Sequence, residues 1–252
     1  MRAPRLLEIL VQRIRSRLFD AVLVLWTAMF APALMVLLIC GRPRAPIRAT
    51  SRVWAKGILL ALRWTVGLGH VELGRENIPT GPCLIVANHQ SQWETIAFLT
   101  LVPNVAIVAK RELMAIPVMG WFLRHSPMIL IDRERGGGAI RHMLAEARKA
   151  LAEGRPVLIF PEGSRMSVAS EVEFKRGIEL LYLQLGVKVV PVALNSGVFW
   201  GVYQPFKRPG DITVSFLPPI EPGLSGTEFV RRAQQAVREA LSARTRLDPI
   251  AA

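Results

Sequence analysis

The sequence predicts an α/β protein with a mainly parallel central sheet covered by helices on both faces, preceded by an N-terminal membrane-associated helical segment. Short apolar runs of strand length recur between residues 70 and 216 and alternate with stretches of helix length. Two of these stretches end at Gly154 and Gly186, and glycine is a common helix stop. Strands that are apolar throughout and separated by helices are typical of parallel sheets buried on both faces.

The predicted elements alternate along the chain after residue 52. Helical periodicity predicts the helices, and apolar runs bounded by turn residues predict the strands. The predicted strands are 70–73, 82–87, 104–110, 127–132, 156–160, 187–194 and 211–216. The predicted helices are 53–68, 94–102, 114–123, 140–153, 177–185 and 227–244. We therefore expect membrane-anchoring helices over residues 1–66 and one α/β domain over residues 67–252.

Residues 21–40 form an uncharged apolar run near the N-terminus. As a helix this run would be roughly 30 Å long, about the thickness of the bilayer hydrocarbon core. Pro32 lies near its middle and should kink or interrupt the helix. Because arginines flank the run on both sides, their distribution indicates no preferred orientation across a membrane. A spanning helix and a re-entrant or interfacial helix pair both stay open.

Composition also indicates contact with a membrane. The chain has a net charge of +13, and residues 1–66 contribute +9 of it, from eleven basic and two acidic residues. Basic stretches that bind nucleic acid normally lie on polar segments, whereas these flank an apolar run, so we favour an anionic membrane surface. The two cysteines, Cys40 and Cys83, provide no disulfide framework, and the histidine spacings indicate no metal site.

A polar stretch follows the predicted strand 82–87 and reads Asn-His-Gln-Ser-Gln-Trp-Glu from residue 88 to 94. Ser91 and Glu94 have the spacing of a helix capping box, in which Glu94 would bind backbone amides. Alternatively, His89 lies in the turn before the helix. The carboxylate of Glu94 would then hold one imidazole nitrogen, and the other nitrogen would act as a base. The spacing alone leaves both interpretations open.

Further polar clusters follow other predicted strands, where open α/β sheets bind ligands. Residues 160–165 read Phe-Pro-Glu-Gly-Ser-Arg. This is an ordinary turn, but its carboxylate, glycine backbone and guanidinium also suit a phosphate with neighbouring hydroxyls. Residues 132–135 (Asp-Arg-Glu-Arg) and 110–113 (Lys-Arg-Glu-Leu) follow two more strands, and each could equally be a solvated charged loop.

Taken in their order along the chain and followed by Val-Pro-Val-Ala at residues 190–193, these motifs resemble the glycerolipid acyltransferase family over residues 88–195, and most closely its bacterial 1-acylglycerol-3-phosphate acyltransferases. The family's first motif is Asn-His, four residues and Asp, and Glu94 stands here at the Asp position. The resemblance implies that His89 is the general base and that Glu94 orients it. The substrate-binding residues that it implies are Arg133, Glu162, Gly163, Ser164 and Arg165, and Lys110 lies where a further phosphate contact would be useful.

The resemblance also implies a reaction and a location. An acyl chain would pass from acyl-CoA or acyl-carrier protein to the free hydroxyl of 1-acylglycerol-3-phosphate, giving phosphatidic acid for phospholipid synthesis. No metal and no cofactor beyond the thioester co-substrate is expected, and the partner is membrane lipid, not nucleic acid. The expected location is the cytoplasmic face of the bacterial cytoplasmic membrane.

Three other hypotheses stay open at this point. The acceptor could be another lysolipid, such as a lyso-ornithine lipid or lysophosphatidylcholine. The protein could instead be a non-catalytic module that binds anionic lipid. It could also be a membrane-anchored hydrolase, for which water replaces the acceptor.

Overall fold

The computed structural model of the 252-residue chain describes residues 3–115, 119–126, 128–132 and 137–247. The strands are β1 (Leu68–Leu73), β2 (Leu84–Ala87), β3 (Ala106–Lys110), β4 (Ile129–Ile131), β5 (Val157–Ile159), β6 (Val189–Leu194) and β7 (Gly210–Phe216). The α-helices are α1 (Ala3–Met29), α2 (Ala31–Ile39), α3 (Arg44–Thr65), α4 (Trp93–Leu101), α5 (Met119–His125), α6 (Gly137–Ala152), α7 (Gly177–Leu185), α8 (Gly197–Trp200) and α9 (Gly226–Leu247).

These strands form one sheet in the order β1-β7-β6-β2-β5-β3-β4, and most neighbours run parallel. β2 is parallel to β5 and β6, and β3 is parallel to β5 and β4. The carboxyl ends of these five strands therefore meet at one edge of the sheet, which we call the carboxyl edge. We call the opposite edge the amino edge. Because β7 is antiparallel to β6 and parallel to β1, those two strands run the other way.

Helices cover both faces of the sheet, as predicted, because successive residues of a strand point to opposite faces. In β2, Ile85 and Ala87 belong to a core that α1, α3 and α4 cover. Leu84 and Val86 belong to a second core, which α6, α7 and α9 cover. The predicted α/β class with a mainly parallel sheet is confirmed.

The N-terminal helices pack onto the sheet through specific contacts. Trp26 of α1 donates a hydrogen bond to the carbonyl of Trp54 in α3, and the Trp54 indole donates to Thr27. The ammonium group of Lys207, in the β6–β7 connection, lies 2.6 Å from a carboxylate oxygen of Asp20 on α1. The first core thus continues from the helices of residues 3–65 into the sheet. The domain division at residue 66 stays a prediction.

Much of the N-terminal surface is apolar and exposed. In the described part of the chain, one helical stretch, Leu6–Ile39, is long and apolar enough to cross a membrane, and only 11% of its most apolar window is buried. The helix is interrupted at Phe30, two residues before Pro32. Proline lacks the N–H that would continue the hydrogen-bond pattern, so this interruption has the predicted cause. The exposed apolar surface indicates association with a membrane.

Several element boundaries differ from the predicted ones. The helix expected at 53–68 begins earlier, at Arg44, and the apolar run of residues 21–40 is the second part of a helical stretch that starts at Ala3. The helix expected at 114–123 is a 3₁₀ helix (Arg111–Ala115) and α5, with residues 116–118 outside the described ones. The short helix α8 was not predicted, because four residues are too few for a periodic pattern.

Candidate active site

The predicted site residues that the structure describes lie at the carboxyl edge of the sheet. His89 is two residues beyond β2, Glu162 is three residues beyond β5, and Lys110 is the last residue of β3. β5 lies between β2 and β3, and neighbouring strands are about 4.8 Å apart. The sheet order therefore brings these separate motifs to one edge, with His89 next to Glu162 and Lys110 one strand further away.

The backbone of His89 is held by the loop that follows β5. The His89 N–H donates to Oε2 of Glu162 at 2.6 Å, and its carbonyl oxygen accepts from the Met166 N–H at 2.7 Å. Its imidazole stacks on the Phe160 ring with centroids 4.2 Å apart. The side chain is 15% exposed, so the ring is fixed by its surroundings but can still be reached from outside.

The carboxylate of Glu94 is fully buried and reaches back to the turn that contains His89. Its Oε1 accepts hydrogen bonds from the backbone N–H groups of Gln90 (2.8 Å) and Ser91 (2.9 Å) and from the hydroxyl of Ser196 (2.6 Å). Its Oε2 faces Nδ1 of His89 at 3.8 Å, longer than a direct hydrogen bond. Hydrogen bonds at catalytic groups are often long without substrate and tighten when it binds.

The two sequence interpretations of Glu94 concern different carboxylate oxygens: the capping contact is present at Oε1, and the orienting role toward His89 at Oε2 stays a prediction. Oε1 accepts from the Ser91 N–H, as in a capping box, while the Ser91 hydroxyl accepts from the Trp93 N–H. Oε2 provides the carboxylate partner of His89. Burial raises the pKa of Glu94 to about 7, against the hydrogen bonds from Ser196, Gln90 and Ser91, which lower it.

Two buried residues that were not predicted as site residues complete this arrangement. Ser196 lies two residues beyond β6 and donates to Glu94. Asn88 exchanges two hydrogen bonds with the backbone of Leu194, at 2.9 and 2.8 Å, and so joins the end of β2 to the end of β6. Both are polar residues directly after an apolar strand, which is the signal that identified the other clusters.

The loop after β5 combines a glycine in the left-handed backbone region with two basic side chains. Gly163 has φ of +76°, which favours glycine, and its N–H donates to the Phe160 carbonyl. The Lys175 side chain lies against Gly163, since a Cβ there would come within 3.0 Å of Nζ. Ser164 is exposed and Arg165 partly exposed. Lys175 was not predicted, because it is ten residues downstream of the motif.

Glu162 is almost fully buried below this loop. Burial raises its pKa to about 7, the hydrogen bond from the His89 N–H lowers it, and the negative charge of Glu94 raises it. Glu162 accepts a hydrogen bond from the backbone of His89, and its predicted contact with the substrate stays a prediction. Arg133 lies outside the described residues, and Asp132 before it lies 3.8 Å from Arg111.

Known proteins resemble this chain in sequence and fold. The sequence profile of the acyltransferase family matches residues 70–195. A 1-acyl-sn-glycerol-3-phosphate acyltransferase of Pseudomonas aeruginosa is 34% identical over 208 residues, which cover 79% of this chain and 81% of that protein. The mouse 1-acyl-sn-glycerol-3-phosphate acyltransferase alpha is 32% identical over 65% of this chain and 59% of its own length.

A solved structure has the same fold. The crystal structure of the 1-acyl-sn-glycerophosphate (LPA) acyltransferase PlsC from Thermotoga maritima superposes with a TM-score of 0.77, covering 97% of this chain and 98% of that one, at 22% identity. The family profile spans half of the chain, and the Pseudomonas relative is matched over more than two thirds of both proteins. This chain therefore belongs to the acyltransferase family and is an enzyme that transfers acyl groups.

Proposed function

We propose that the protein transfers an acyl chain from a thioester to the free hydroxyl of 1-acylglycerol-3-phosphate and so forms phosphatidic acid. The observation that carries this proposal is the pairing of His89 with the buried carboxylate of Glu94, next to a glycine-containing loop with exposed cations. Two relatives that are more than 30% identical are named for this reaction. They support 1-acylglycerol-3-phosphate over another lysolipid as the acceptor.

The histidine acts as the general base in this proposal. Nδ1 of His89 faces Glu94, so Nε2 accepts the proton of the acceptor hydroxyl as its oxygen attacks the thioester carbonyl carbon. When the tetrahedral intermediate collapses, the carbon–sulfur bond breaks and the imidazolium returns the proton to the leaving thiol. The products are an ester and a free thiol. A positioned base of this kind contributes about 10²–10⁴-fold to the rate.

Glu94 stabilises the imidazolium that forms during the reaction. Because Glu94 is fully buried, its interaction with a positive charge 3.8 Å away is screened less than it would be in water. The same positive charge favours the ionised carboxylate. Proton transfer to His89 therefore strengthens the pair at the stage where the reaction needs it.

The phosphate of the acceptor binds at the loop after β5. Arg165 and Lys175 provide positive charge there, and the Lys175 side chain lies against Gly163. Lys110, at the end of β3, and Arg133, beyond β4, are the further phosphate contacts that we propose. Ser164 provides an exposed hydroxyl at the same loop.

An apolar groove beyond the end of β6 suits an acyl chain. It has a volume of about 560 Å³ and lies between α1 and the segment that follows β6, with Leu7, Val11, Val198 and Phe199 among its lining residues. This segment is tied to the histidine turn, because the N–H of Gly197 donates to the side chain of Gln90. We propose acyl-CoA or acyl-carrier protein as the donor, and the cytoplasmic face of the bacterial cytoplasmic membrane as the location.

The test is thioester-dependent acylation of lysophosphatidic acid by the membrane-bound protein, with wild type beside His89→Ala. We expect phosphatidic acid from the wild type and a loss of about 10²–10⁴-fold in the variant. His142→Ala, an exposed histidine on α6, is the matched control and should keep full activity.

Two further assays separate the other hypotheses. Acylation of lysophosphatidylcholine or a lyso-ornithine lipid, without acylation of lysophosphatidic acid, would identify a different acceptor. Release of free fatty acid without any lysolipid would identify a hydrolase. Unchanged phosphatidic acid formation by folded His89→Ala would refute the role of His89.

A further inference from the structure

A second polar cavity lies at the amino edge of the sheet, away from His89. It has a volume of about 320 Å³ and is lined by the α2–α3 turn, α5 and α6 and by residues that precede strands. Ile129, the first residue of β4, and Arg155, two residues before β5, both line it. We call it the amino-edge pocket. Since the candidate active site lies at the opposite ends of the same strands, the two are separate sites.

The amino-edge pocket has an excess of positive charge. Its cationic lining residues are Arg42, Arg44, Arg124, Lys149 and Arg155. Against these five stand two carboxylates, Glu146 and Glu153, so the lining carries a net +3 before any charge on His125 is counted. Glu153 already lies between two of the cations, 3.2 Å from Arg44 and 3.8 Å from Arg155. The pocket therefore suits a ligand with negative charge.

One of these cations, the guanidinium of Arg155, is buried and held by backbone hydrogen bonds. Arg155 is 5% exposed, and its guanidinium donates to the backbone carbonyls of Asn104 (3.0 Å) and Val105 (3.4 Å) just before β3. These contacts fix the position of its charge at the base of the pocket. Burial is the main cause that lowers the pKa of Arg155, the charges of Arg48 and Arg44 lower it further, and Glu153 raises it. An anion bound in the pocket would offset this repulsion.

The α2–α3 turn, which lines the pocket, directly follows part of the apolar N-terminal surface. Ile39, the last residue of α2, is 82% exposed, and Met35 and Val36 are exposed beside it. The N–H of Arg42 donates to the Leu37 carbonyl at 2.8 Å, which closes α2 and fixes the turn. A cationic pocket thus begins three residues after an apolar surface that is suited to acyl chains. This combination matches an amphiphile with an anionic headgroup.

We propose that the amino-edge pocket binds the phosphate headgroup of an anionic phospholipid in the surrounding membrane. Guanidinium groups match phosphate oxygens in geometry, and the pocket provides four arginines. The apolar residues before the turn would contact the acyl chains of the same lipid. Because the pocket and the candidate active site lie on opposite edges of the sheet, this lipid does not compete with the acyl acceptor. The proposal stands whether or not the acceptor is lysophosphatidic acid.

The test compares vesicle binding by two charge-matched variants of the full chain. Arg42→Gln/Arg44→Gln/Lys149→Gln removes three cations from the pocket. Arg75→Gln/Lys188→Gln/Arg231→Gln removes three exposed cations elsewhere, each of which pairs with a carboxylate. Each protein is incubated with phosphatidylcholine vesicles, with or without phosphatidylglycerol, and the bound fraction is measured by flotation.

We expect the wild type to prefer the vesicles that contain phosphatidylglycerol. A cation near an anionic membrane contributes about fivefold to affinity, so the pocket variant should lose on the order of 100-fold, and only on these vesicles. The control variant should lose much less. An equal loss of vesicle affinity in both variants would show a general effect of charge and would refute headgroup binding in the amino-edge pocket. If the triple variant does not fold, Arg42→Glu at the exposed turn carries the same test, and wild-type affinity in that variant would also refute the proposal.

A titration with inorganic phosphate shows whether the amino-edge pocket binds a lipid headgroup or a soluble anion. Thermal unfolding of the wild type and the pocket variant is followed while phosphate is added. If phosphate stabilises the wild type alone while both proteins bind the vesicles equally, the pocket is a soluble-anion site and the lipid proposal is wrong. In micelles whose only anionic lipid is the lysophosphatidic acid substrate, the pocket variant should keep wild-type acyl transfer. A loss of activity there would indicate damage to the fold and not to headgroup binding.

Discussion

The hydroxyl of Ser196 donates a 2.6 Å hydrogen bond to Oε1 of Glu94, although the two residues are 102 positions apart. Both side chains are fully buried. The backbone N–H groups of Gln90 and Ser91 also donate to Oε1, so this oxygen is held by the turn before α4. The other oxygen is thereby directed at His89. Ser196 thus connects the end of β6 to the orientation of the proposed catalytic pair.

Ser196→Ala should lower the rate of acyl transfer and shift its pH dependence. A hydrogen bond to a charged group contributes about 1.5–3 kcal/mol, so we expect kcat to fall by about tenfold or more. Because the Ser196 hydrogen bond lowers the pKa of Glu94, its removal raises that pKa further. The acidic limb of the kcat profile should therefore move to higher pH. The measurement is kcat against pH for wild type, Ser196→Ala and Ser196→Thr, which keeps the hydroxyl.

Ser91→Ala is the matched control for that experiment. Ser91 is buried at the same turn, but its hydroxyl accepts from the Trp93 N–H and does not contact Glu94. Its own N–H, which does reach Glu94, is kept in alanine. We expect a loss of stability without a pH shift. If both variants lower kcat equally at every pH, Ser196 contributes only to the packing of the turn.

Glu94→Gln should separate the structural role of Glu94 from its electrostatic role. Glutamine keeps an amide oxygen for the N–H groups of Gln90 and Ser91 and for the Ser196 hydroxyl. It has no negative charge to stabilise the imidazolium of His89. We expect the free energy of unfolding to change by less than about 1 kcal/mol while kcat falls by about 100-fold or more. Urea unfolding and kcat are measured on the same preparation.

The opposite pattern would favour the capping interpretation. Wild-type kcat in Glu94→Gln, together with reduced stability in Glu94→Ala, would mean that Glu94 only fixes the start of α4. His89 would then need a different partner. The two variants can distinguish capping from charge stabilisation because the two roles involve different oxygens of the Glu94 carboxylate.

Glu162→Gln should change how stability depends on pH. Burial raises the pKa of Glu162 to about 7, above the ordinary value of 4.5. Between these values the folded protein keeps a proton that the unfolded chain releases, so wild-type stability falls as pH rises from about 4.5 to about 7. Glutamine stays neutral and can still accept from the His89 N–H. The variant should therefore gain roughly 1–3 kcal/mol relative to wild type across this window.

Urea unfolding at a series of pH values between about 4.5 and about 7 measures the difference in the free energy of unfolding between wild type and Glu162→Gln. Glu171→Gln is the control, because the Glu171 side chain is 88% exposed. Its difference from wild type should stay flat with pH. A flat difference for Glu162→Gln as well would mean that the buried carboxylate is already ionised at low pH.

The fold and part of the site could be predicted because their signals are local. An apolar run of four to six residues followed by polar ones identifies a strand end, and this placed His89 and Glu162 at one edge. The helix starts and stops were equally local, as at Gly186, which ends α7 with φ of +62°. The relation of Glu94 to His89 was recognised, but it stayed one of two alternatives. Sequence spacing cannot show that one oxygen of the Glu94 carboxylate caps the helix while the other faces His89.

The contacts between distant segments could not be predicted. Ser196 meets Glu94 only because β6 is the neighbour of β2, and sheet order is a property of the whole chain. Lys175 meets Gly163 through the path of a loop without regular periodicity. Likewise, the apolar run of residues 21–40 gave no indication that its helix would continue back to Ala3 and dock through Asp20.

Asp20→Asn should weaken the attachment of α1 to the sheet. The Lys207 ammonium is nearly buried, 2.6 Å from Asp20 and within 5 Å of the ring centroids of Phe19 (4.9 Å) and Trp200 (4.8 Å). Asparagine leaves this charge without its ionic partner. Because Asp20 itself is 44% exposed, solvent screens the pair, and we expect a loss of about 1–2 kcal/mol. Hydrogen exchange along α1 should speed up more than exchange in β2.

Lys207→Met tests whether the ion pair or the apolar contacts attach the helix. Methionine has a similar length and can pack between the rings of Phe19 and Trp200, so this variant should be close to wild type in stability. Asp20→Asn should then cause no further loss in the Lys207→Met background, because the buried charge is gone. If Asp20→Asn costs the same in both backgrounds, Asp20 acts through another contact, and the ion pair does not attach α1.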